Sequence, residues 1–124
     1  MPIIKSSAAP EFQVHGVTFT GLASPARGAR ETCVWRIAVA PGTPGAAHTL
    51  DREEVFTVLG GRAAVTLGDD TFELAAGDAL VVPPHVPFAL ANPHAEPFEA
   101  VVAFPVGGRA RLPGGEPFVP PWAT

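Results

Sequence analysis

Glycine and proline interrupt the apolar segments of this chain too often for long helices to form. The sequence contains 13 Gly and 15 Pro among 124 residues, and both residue types favour turns while weakening helix interiors. The pairs Gly60-Gly61 and Gly77-Asp78 are typical of hairpin turns. Short runs of Val, Ala, Phe and Leu lie between the turns, as expected of strands. The pattern therefore predicts an all-β protein, an antiparallel barrel or sandwich.

The evenly spaced turns divide the chain into a series of short predicted strands. These cover residues 11–20, 32–40, 48–50, 54–59, 62–67, 71–74, 79–82, 88–91 and 98–104. No linker, charge block or tandem repeat separates them, so a single domain is expected over residues 1–124.

The last segment, residues 105–124, differs from the rest and is called the C-terminal arm. It contains five prolines and four glycines, so it is not expected to form regular ladders. Leu112, Phe118, Val119 and Trp122 give it apolar side chains. We expect the arm to pack on the barrel or on a partner subunit.

Charge and apolar patterning exclude several classes of function. The net charge is −4 and no basic cluster is present, which argues against a nucleic-acid surface. The apolar run 79–82 ends at Pro83, far short of the roughly 20 residues that a membrane-spanning helix needs. Residues 1–7 contain no extended apolar segment, so no secretory signal is expected, and the single cysteine, Cys33, excludes an intrachain disulfide. A cytoplasmic location is expected.

A first motif with defined spacing lies between Gly42 and Gly61. Five residues separate Gly42 from His48, three separate Leu50 from Glu54, and six separate Glu54 from Gly61. Because side chains two apart on a strand share a face, His48 and Leu50 are expected to point the same way. Glu54 opens the next strand, where its carboxylate can meet the same point.

A second motif begins at Gly77. Five residues separate it from Pro83, His85 follows Pro84, and after two further residues comes Phe88. Three residues separate Phe88 from Asn92, where the motif ends, and Asn92 is expected to lie in a turn. Leu90 shares a strand face with Phe88.

The two motifs together resemble those of the cupin superfamily, G-x5-H-x-H-x3,4-E-x6-G and G-x5-P-x-G-x2-H-x3-N. The resemblance implies a small single-domain jelly-roll β-barrel that forms a homodimer. It also implies a metal held by three imidazoles and one carboxylate. In this sequence Leu50 and Phe88 replace two of those histidines, and His85 stands at the glycine position of the second motif.

The two replacements change the expectation for a metal. Catalytic zinc and non-haem iron sites usually take three protein ligands, whereas His48 and Glu54 supply two. We therefore expect no tightly bound transition metal and no other cofactor. The alternative is a weakly bound divalent ion (Zn, Ni, Fe or Mn) on His48 and Glu54, with His85 as a third ligand.

The inner wall predicted from the motifs resembles a ligand pocket, apolar with few polar groups. Its predicted ligand-binding residues are His48, Leu50, Glu54, Phe56, Phe88 and Leu90. Burial should raise the pKa of Glu54 unless a cation pairs with it, and His48 is the nearest candidate. Together these two residues could also act as a catalytic acid–base pair.

Three functions are compatible with these residues. The first is a small-molecule-binding cupin of unknown specificity. The second is an enzyme that uses His48 and Glu54, either a cofactor-free isomerase or cyclase or a metal-dependent oxygenase or hydrolase. The third is a structural dimer with a filled barrel.

Overall fold

The computed structural model describes residues 2–124, and nearly all the regular structure in this part of the chain is strand. The strands are β1 (Glu11–Val14), β2 (Val17–Ala23), β3 (Thr32–Val39), β4 (Thr49–Leu50), β5 (Glu54–Gly60), β6 (Arg62–Leu67), β7 (Asp70–Ala75), β8 (Ala79–Val82), β9 (Phe88–Ala91), β10 (Phe98–Pro105) and β11 (Ala110–Arg111). Short 3-10 helices span Ser6–Ala8, Pro25–Arg27 and Pro121–Ala123. Within residues 2–124, no helix has the length and apolar character needed to cross a membrane.

The strands form antiparallel sheets arranged as a jelly-roll barrel, which confirms the predicted all-β fold. The largest sheet has the order β1-β2-β3-β10-β5-β8. A three-stranded sheet, β7-β6-β9, and a two-stranded ribbon, β11-β4, complete the barrel. His48, which directly precedes β4, forms an isolated antiparallel bridge with Phe88 on β9.

Three details of the predicted strand pattern are wrong. Gly60-Gly61 and Gly77-Asp78 do not form hairpin turns, because they join β5 to β6 and β7 to β8, and the two strands of each pair lie in different sheets.

The other two details concern the first predicted strand and the arm. The segment 11–20 is not one strand, because His15 and Gly16 turn the chain with φ values of 45° and 85° and separate β1 from β2. Glycine adopts such values easily, whereas histidine rarely does. The arm was expected to form no ladder, yet its β11 pairs with β4 through Ala110 opposite Leu50.

One face of β3 packs into the core. Cys33, Trp35, Ile37 and Val39 alternate with more exposed residues and are all buried. Arg36 lies on the opposite, outer face, where its guanidinium is 3.7 Å from the Glu99 carboxylate. The period of two in the sequence thus corresponds to one core face and one solvent face.

Asn92 fastens the loop after β9 to the large sheet. Its side chain is fully buried, and its Nδ2 donates hydrogen bonds to the carbonyl oxygens of Val39 at 3.0 Å and Glu96 at 2.8 Å. Its Oδ1 accepts a hydrogen bond from the backbone N–H of His94 at 3.0 Å. A buried amide needs such partners, since an unsatisfied polar group in the core is costly.

The C-terminal arm packs on its own barrel. Ala110 and Phe118 exchange backbone hydrogen bonds of 2.8 and 2.9 Å, which fold the arm back on itself. Farther along, the Trp122 ring stacks on Phe19, with centroids 3.5 Å apart and planes 6° from parallel. Ala123 is buried beside Cys33, whose thiol contacts the Ala123 carbonyl oxygen at 3.6 Å. The arm therefore forms part of the barrel wall.

Candidate functional site

A cavity of about 420 Å³ lies inside the barrel. Strands β2, β3 and β5 form one side of it, β4 and β9 form another, and the C-terminal arm covers part of the rest. The lining is mainly apolar and aromatic, and its titratable side chains are His15, His48 and Glu54. The barrel is thus not filled by its own side chains.

All six residues of the predicted pocket line this one cavity. They are His48, Leu50, Glu54, Phe56, Phe88 and Leu90. The alternation of β5 turns Glu54 and Phe56 inward while Val55 and Thr57 turn outward. The two motifs are distant in sequence but adjacent in space because His48 and Phe88 form a backbone bridge.

Glu54 is buried and has no partner. The residue is only 5% exposed. Within residues 2–124, no hydrogen bond or ion pair to its carboxyl is present. Burial raises the pKa of this carboxyl from 4.5 to about 8. The group is therefore mainly protonated at neutral pH, and its hydrogen-bonding capacity faces the cavity unused.

His48 is held as a neutral ring. Its Nδ1 lies 2.9 Å from the carbonyl oxygen of Ala46, so Nδ1 carries the proton and donates it, which leaves the lone pair on Nε2. Burial lowers the pKa of the imidazole, and the hydrogen bond to Ala46 opposes this only partly. The ring also packs against Phe88, with centroids 4.2 Å apart.

His48 and Glu54 line the same cavity but are not paired. No hydrogen bond or ion pair joins them in the described part of the chain, so the predicted pairing is not formed. Any acid–base chemistry by these residues would have to pass through a bound molecule.

The donor set does not fit a tightly held transition metal. Across residues 2–124, no cluster of three or more His, Cys, Asp or Glu side chains could share one ion. Leu50 and Phe88 are buried in the cavity wall at the positions where the cupin motifs carry histidine. His48 and Glu54 alone fall short of the three protein ligands that such sites usually have.

His85 lies apart from this cavity. It is exposed, its φ is 65°, and its backbone N–H donates to the Leu50 carbonyl oxygen at 2.7 Å. Its side chain lines a separate depression of about 180 Å³, together with Arg109 and Arg111. The left-handed φ explains why the cupin motif has glycine here. His85 does not supply the third ligand that was considered for a weakly bound ion.

One wall of the cavity was not predicted from the sequence. Trp35, Ile37 and Val39 on β3 line it, as do Val17 and Phe19 on β2. The alternation of β3 was visible in the sequence, but nothing in it identified the inner face. The arm contributes further lining residues, which are Ala110, Leu112, Phe118, Pro120, Pro121 and Trp122.

Facing antiparallel sheets around an apolar cavity define this chain as a jelly-roll protein with an interior site. A family model described as a cupin domain matches residues 35–104, more than half of the sequence. The chain therefore belongs to the cupin family. A search of curated protein sequences gave no significant match.

Solved cupin structures share this fold at low sequence identity. The polyketide cyclase RemF from Streptomyces resistomycificus has a TM-score of 0.81 and 19% identity, and the match covers 98% of this chain and 88% of RemF. An RmlC-like cupin from Shewanella frigidimarina has a TM-score of 0.72 and 21% identity, with 83% and 88% covered. A predicted oxalate decarboxylase from Thermotoga maritima has a TM-score of 0.71 and 17% identity, with 82% and 96% covered.

Proposed function

We propose that this cupin binds a small, largely apolar molecule inside its barrel, without a tightly bound transition metal. The observation that carries the proposal is the cavity of about 420 Å³, lined by aromatic and aliphatic side chains with one unpartnered carboxyl. Its volume falls within the roughly 300–1,000 Å³ that is usual for ligand pockets. Such a space argues against the alternative of a structural dimer with a filled barrel.

Blocking the mouth of the cavity tests this proposal. Ala46 lines the cavity and is exposed, whereas its exposed neighbour Ala47 is not part of the lining. We expect Ala46→Trp to weaken binding of 2-acetylnaphthalene at least about tenfold, measured by isothermal titration calorimetry, because the indole occupies the mouth. The matched variant Ala47→Trp should bind like the unmodified protein. Equal binding by both variants would place the ligand outside the barrel.

The proposed absence of a tight metal site has its own measurement. Plasma mass spectrometry of untagged protein should find zinc, nickel, iron and manganese well below one equivalent, since two donors hold these ions weakly. A near-stoichiometric content of any of the four metals would contradict this part of the proposal.

A second candidate function is an enzyme in which Glu54 transfers protons. Its carboxyl has a pKa of about 8, so both protonation states are accessible near neutral pH, as general acid–base catalysis requires. The likeness to RemF, a polyketide cyclase, covers nearly the whole chain and adds a fold-level analogy only. In a cyclase or isomerase, a carboxyl of this kind could protonate a substrate carbonyl and, once ionised, remove a proton from carbon.

Deuterium exchange separates the enzyme from the binding protein. In D₂O, the enzyme would accelerate exchange of the α-protons of 2-tetralone, a neutral ketone, as followed by NMR. Glu54→Gln should remove this acceleration, while Glu53→Gln at the exposed neighbouring position should preserve it. Exchange at the buffer rate in the presence of unmodified protein would reject the enzymatic candidate and leave the binding proposal standing.

A further inference from the structure

We infer that the cavity selects an uncharged ligand, one that carries a carbonyl or hydroxyl group hydrogen-bonded to Glu54. This inference rests on the proposed binding function and names the chemical class of the ligand. It follows from the charges around the cavity and from the unpartnered state of the Glu54 carboxyl.

The cavity offers no Lys or Arg that would neutralise an anion. Its two histidines are His48, whose pKa is lowered by burial, and His15, which is exposed. Arg109 and Arg111 flank Ala110, which lines the cavity. Because side chains alternate along a strand, the two arginines point away from the cavity. Both arginines line the outer depression instead. Arg36, on the outer face of β3, is likewise turned away and lies near Glu99.

Glu54 requires a partner that the protein does not provide. The residue is 5% exposed, and the part of the chain described here makes no hydrogen bond to its carboxyl. A buried polar group without a protein partner is unfavourable, so a ligand that hydrogen-bonds to it is favoured over one that cannot. A carboxyl can donate to a ligand carbonyl or accept from a ligand hydroxyl.

Charged ligands gain less from this site. An anionic ligand would have to leave water for an apolar cavity in which no Lys or Arg could pair with it. A cationic ligand could pair with an ionised Glu54, but both charges would have to leave water, and a buried ion pair roughly breaks even against its desolvation. A neutral group forms its hydrogen bond without transferring a charge into the apolar cavity.

The aromatic surfaces favour a flat apolar body on such a ligand. Phe56 and Phe88 lie edge to face with centroids 6.0 Å apart. Trp35 and Trp122, at 6.4 Å, form a second edge-to-face pair that also lines the cavity. Ring pairs of this kind contribute beyond the area that they bury. A planar carbonyl or phenol compound therefore matches both the walls and Glu54.

The charge preference is tested with probes that share a naphthalene ring. We expect 2-acetylnaphthalene to bind at least about tenfold more tightly than 2-naphthoate and 2-naphthylmethylammonium in titration calorimetry at pH 7. Naphthoate or the ammonium compound binding as tightly as the ketone would overturn the inference, while the barrel would remain a binding site. Absence of binding by all probes would count against the proposed function as well.

A second pair of probes tests the contact with Glu54. The affinity ratio of 2-acetylnaphthalene to 2-ethylnaphthalene measures what the carbonyl contributes. We expect Glu54→Leu to lower this ratio about tenfold, while Glu53→Gln, at the exposed neighbouring position, leaves it unchanged. Glu54→Gln keeps a hydrogen-bonding group at this position, so this variant should retain most of the affinity ratio. An unchanged ratio in a folded Glu54→Leu variant would show that the carbonyl binds elsewhere.

Discussion

Replacing Glu54 with glutamine should stabilise the protein, and more strongly as the pH rises. Glutamine has nearly the shape of a protonated glutamate but cannot ionise. The carboxyl makes no hydrogen bond that the substitution could remove, so the loss of ionisation is the main change. In the unmodified protein, by contrast, burial holds the carboxyl pKa at about 8 in the folded state, against 4.5 for its ordinary value.

The magnitude follows from the difference between the folded and unfolded states. Below pH 4.5 the carboxyl is protonated in both states and has no effect. Between pH 4.5 and about 8 the unfolded chain loses this proton while the folded chain keeps it, so the free energy of unfolding falls as pH rises. At about 1.4 kcal/mol per pH unit, the loss reaches about 3 kcal/mol at pH 7 and about 5 kcal/mol above pH 8. At pH 7 this corresponds to roughly 10 °C in Tm.

Urea unfolding followed by circular dichroism at pH 5, 6, 7 and 8.5 measures the effect. The difference between Glu54→Gln and the unmodified protein should grow over this series, and titration of other groups cancels because both proteins share it. Glu53→Gln changes an exposed neighbouring carboxylate and should give a small, pH-independent difference. A difference of equal size at every pH for Glu54→Gln would refute the assigned burial of this carboxyl.

Three further predictions concern the arm, the core and the metal positions. Trp122→Ala should lower the free energy of unfolding by about 3 kcal/mol, because it removes the ring stacked on Phe19. Trp122→Phe should recover part of this loss in urea titrations, and an unaffected Ala variant would contradict the anchoring role. Asn92→Ala should cost about 3 kcal/mol through its three lost hydrogen bonds; a loss below about 1 kcal/mol would show that water replaces them. The double variant Leu50→His/Phe88→His restores the cupin donor set and should bind nickel stoichiometrically in equilibrium dialysis, whereas each single variant binds less. A double variant that binds no more nickel than the unmodified protein would show that these positions do not limit metal binding.

The strand pattern was largely predictable because turns leave strong signals in the sequence. Gly60-Gly61 and Gly77-Asp78 mark the ends of strands through local turn chemistry, but the strands that they join lie in different sheets, and this depends on long-range pairing. The turn at His15 was missed because histidine seldom takes a positive φ, and in this turn only Gly16 carries the usual signal. Strand β11 was missed because two residues are too few for a periodic pattern.

The candidate site was predictable on the side that carries the motifs. Motif spacing predicted that His48, Glu54 and Phe88 share one cavity, because Glu54 and Phe88 lie on strands and His48 forms a backbone bridge with Phe88. The opposite wall depends on which face of β3 points into the barrel. The two-residue alternation of the sequence does not identify that face, because either face would give the same alternation. Trp122 joins the wall only through long-range packing of the arm, which no local pattern encodes.

The composition of the cavity wall has a practical consequence for observing the protein. The sequence contains two tryptophans and no tyrosine, and both tryptophans, Trp35 and Trp122, line the cavity. Near-ultraviolet fluorescence excited at 295 nm therefore originates entirely from the wall of the site. A ligand that enters the barrel should alter the emission intensity or wavelength directly, so occupancy can be followed without a label.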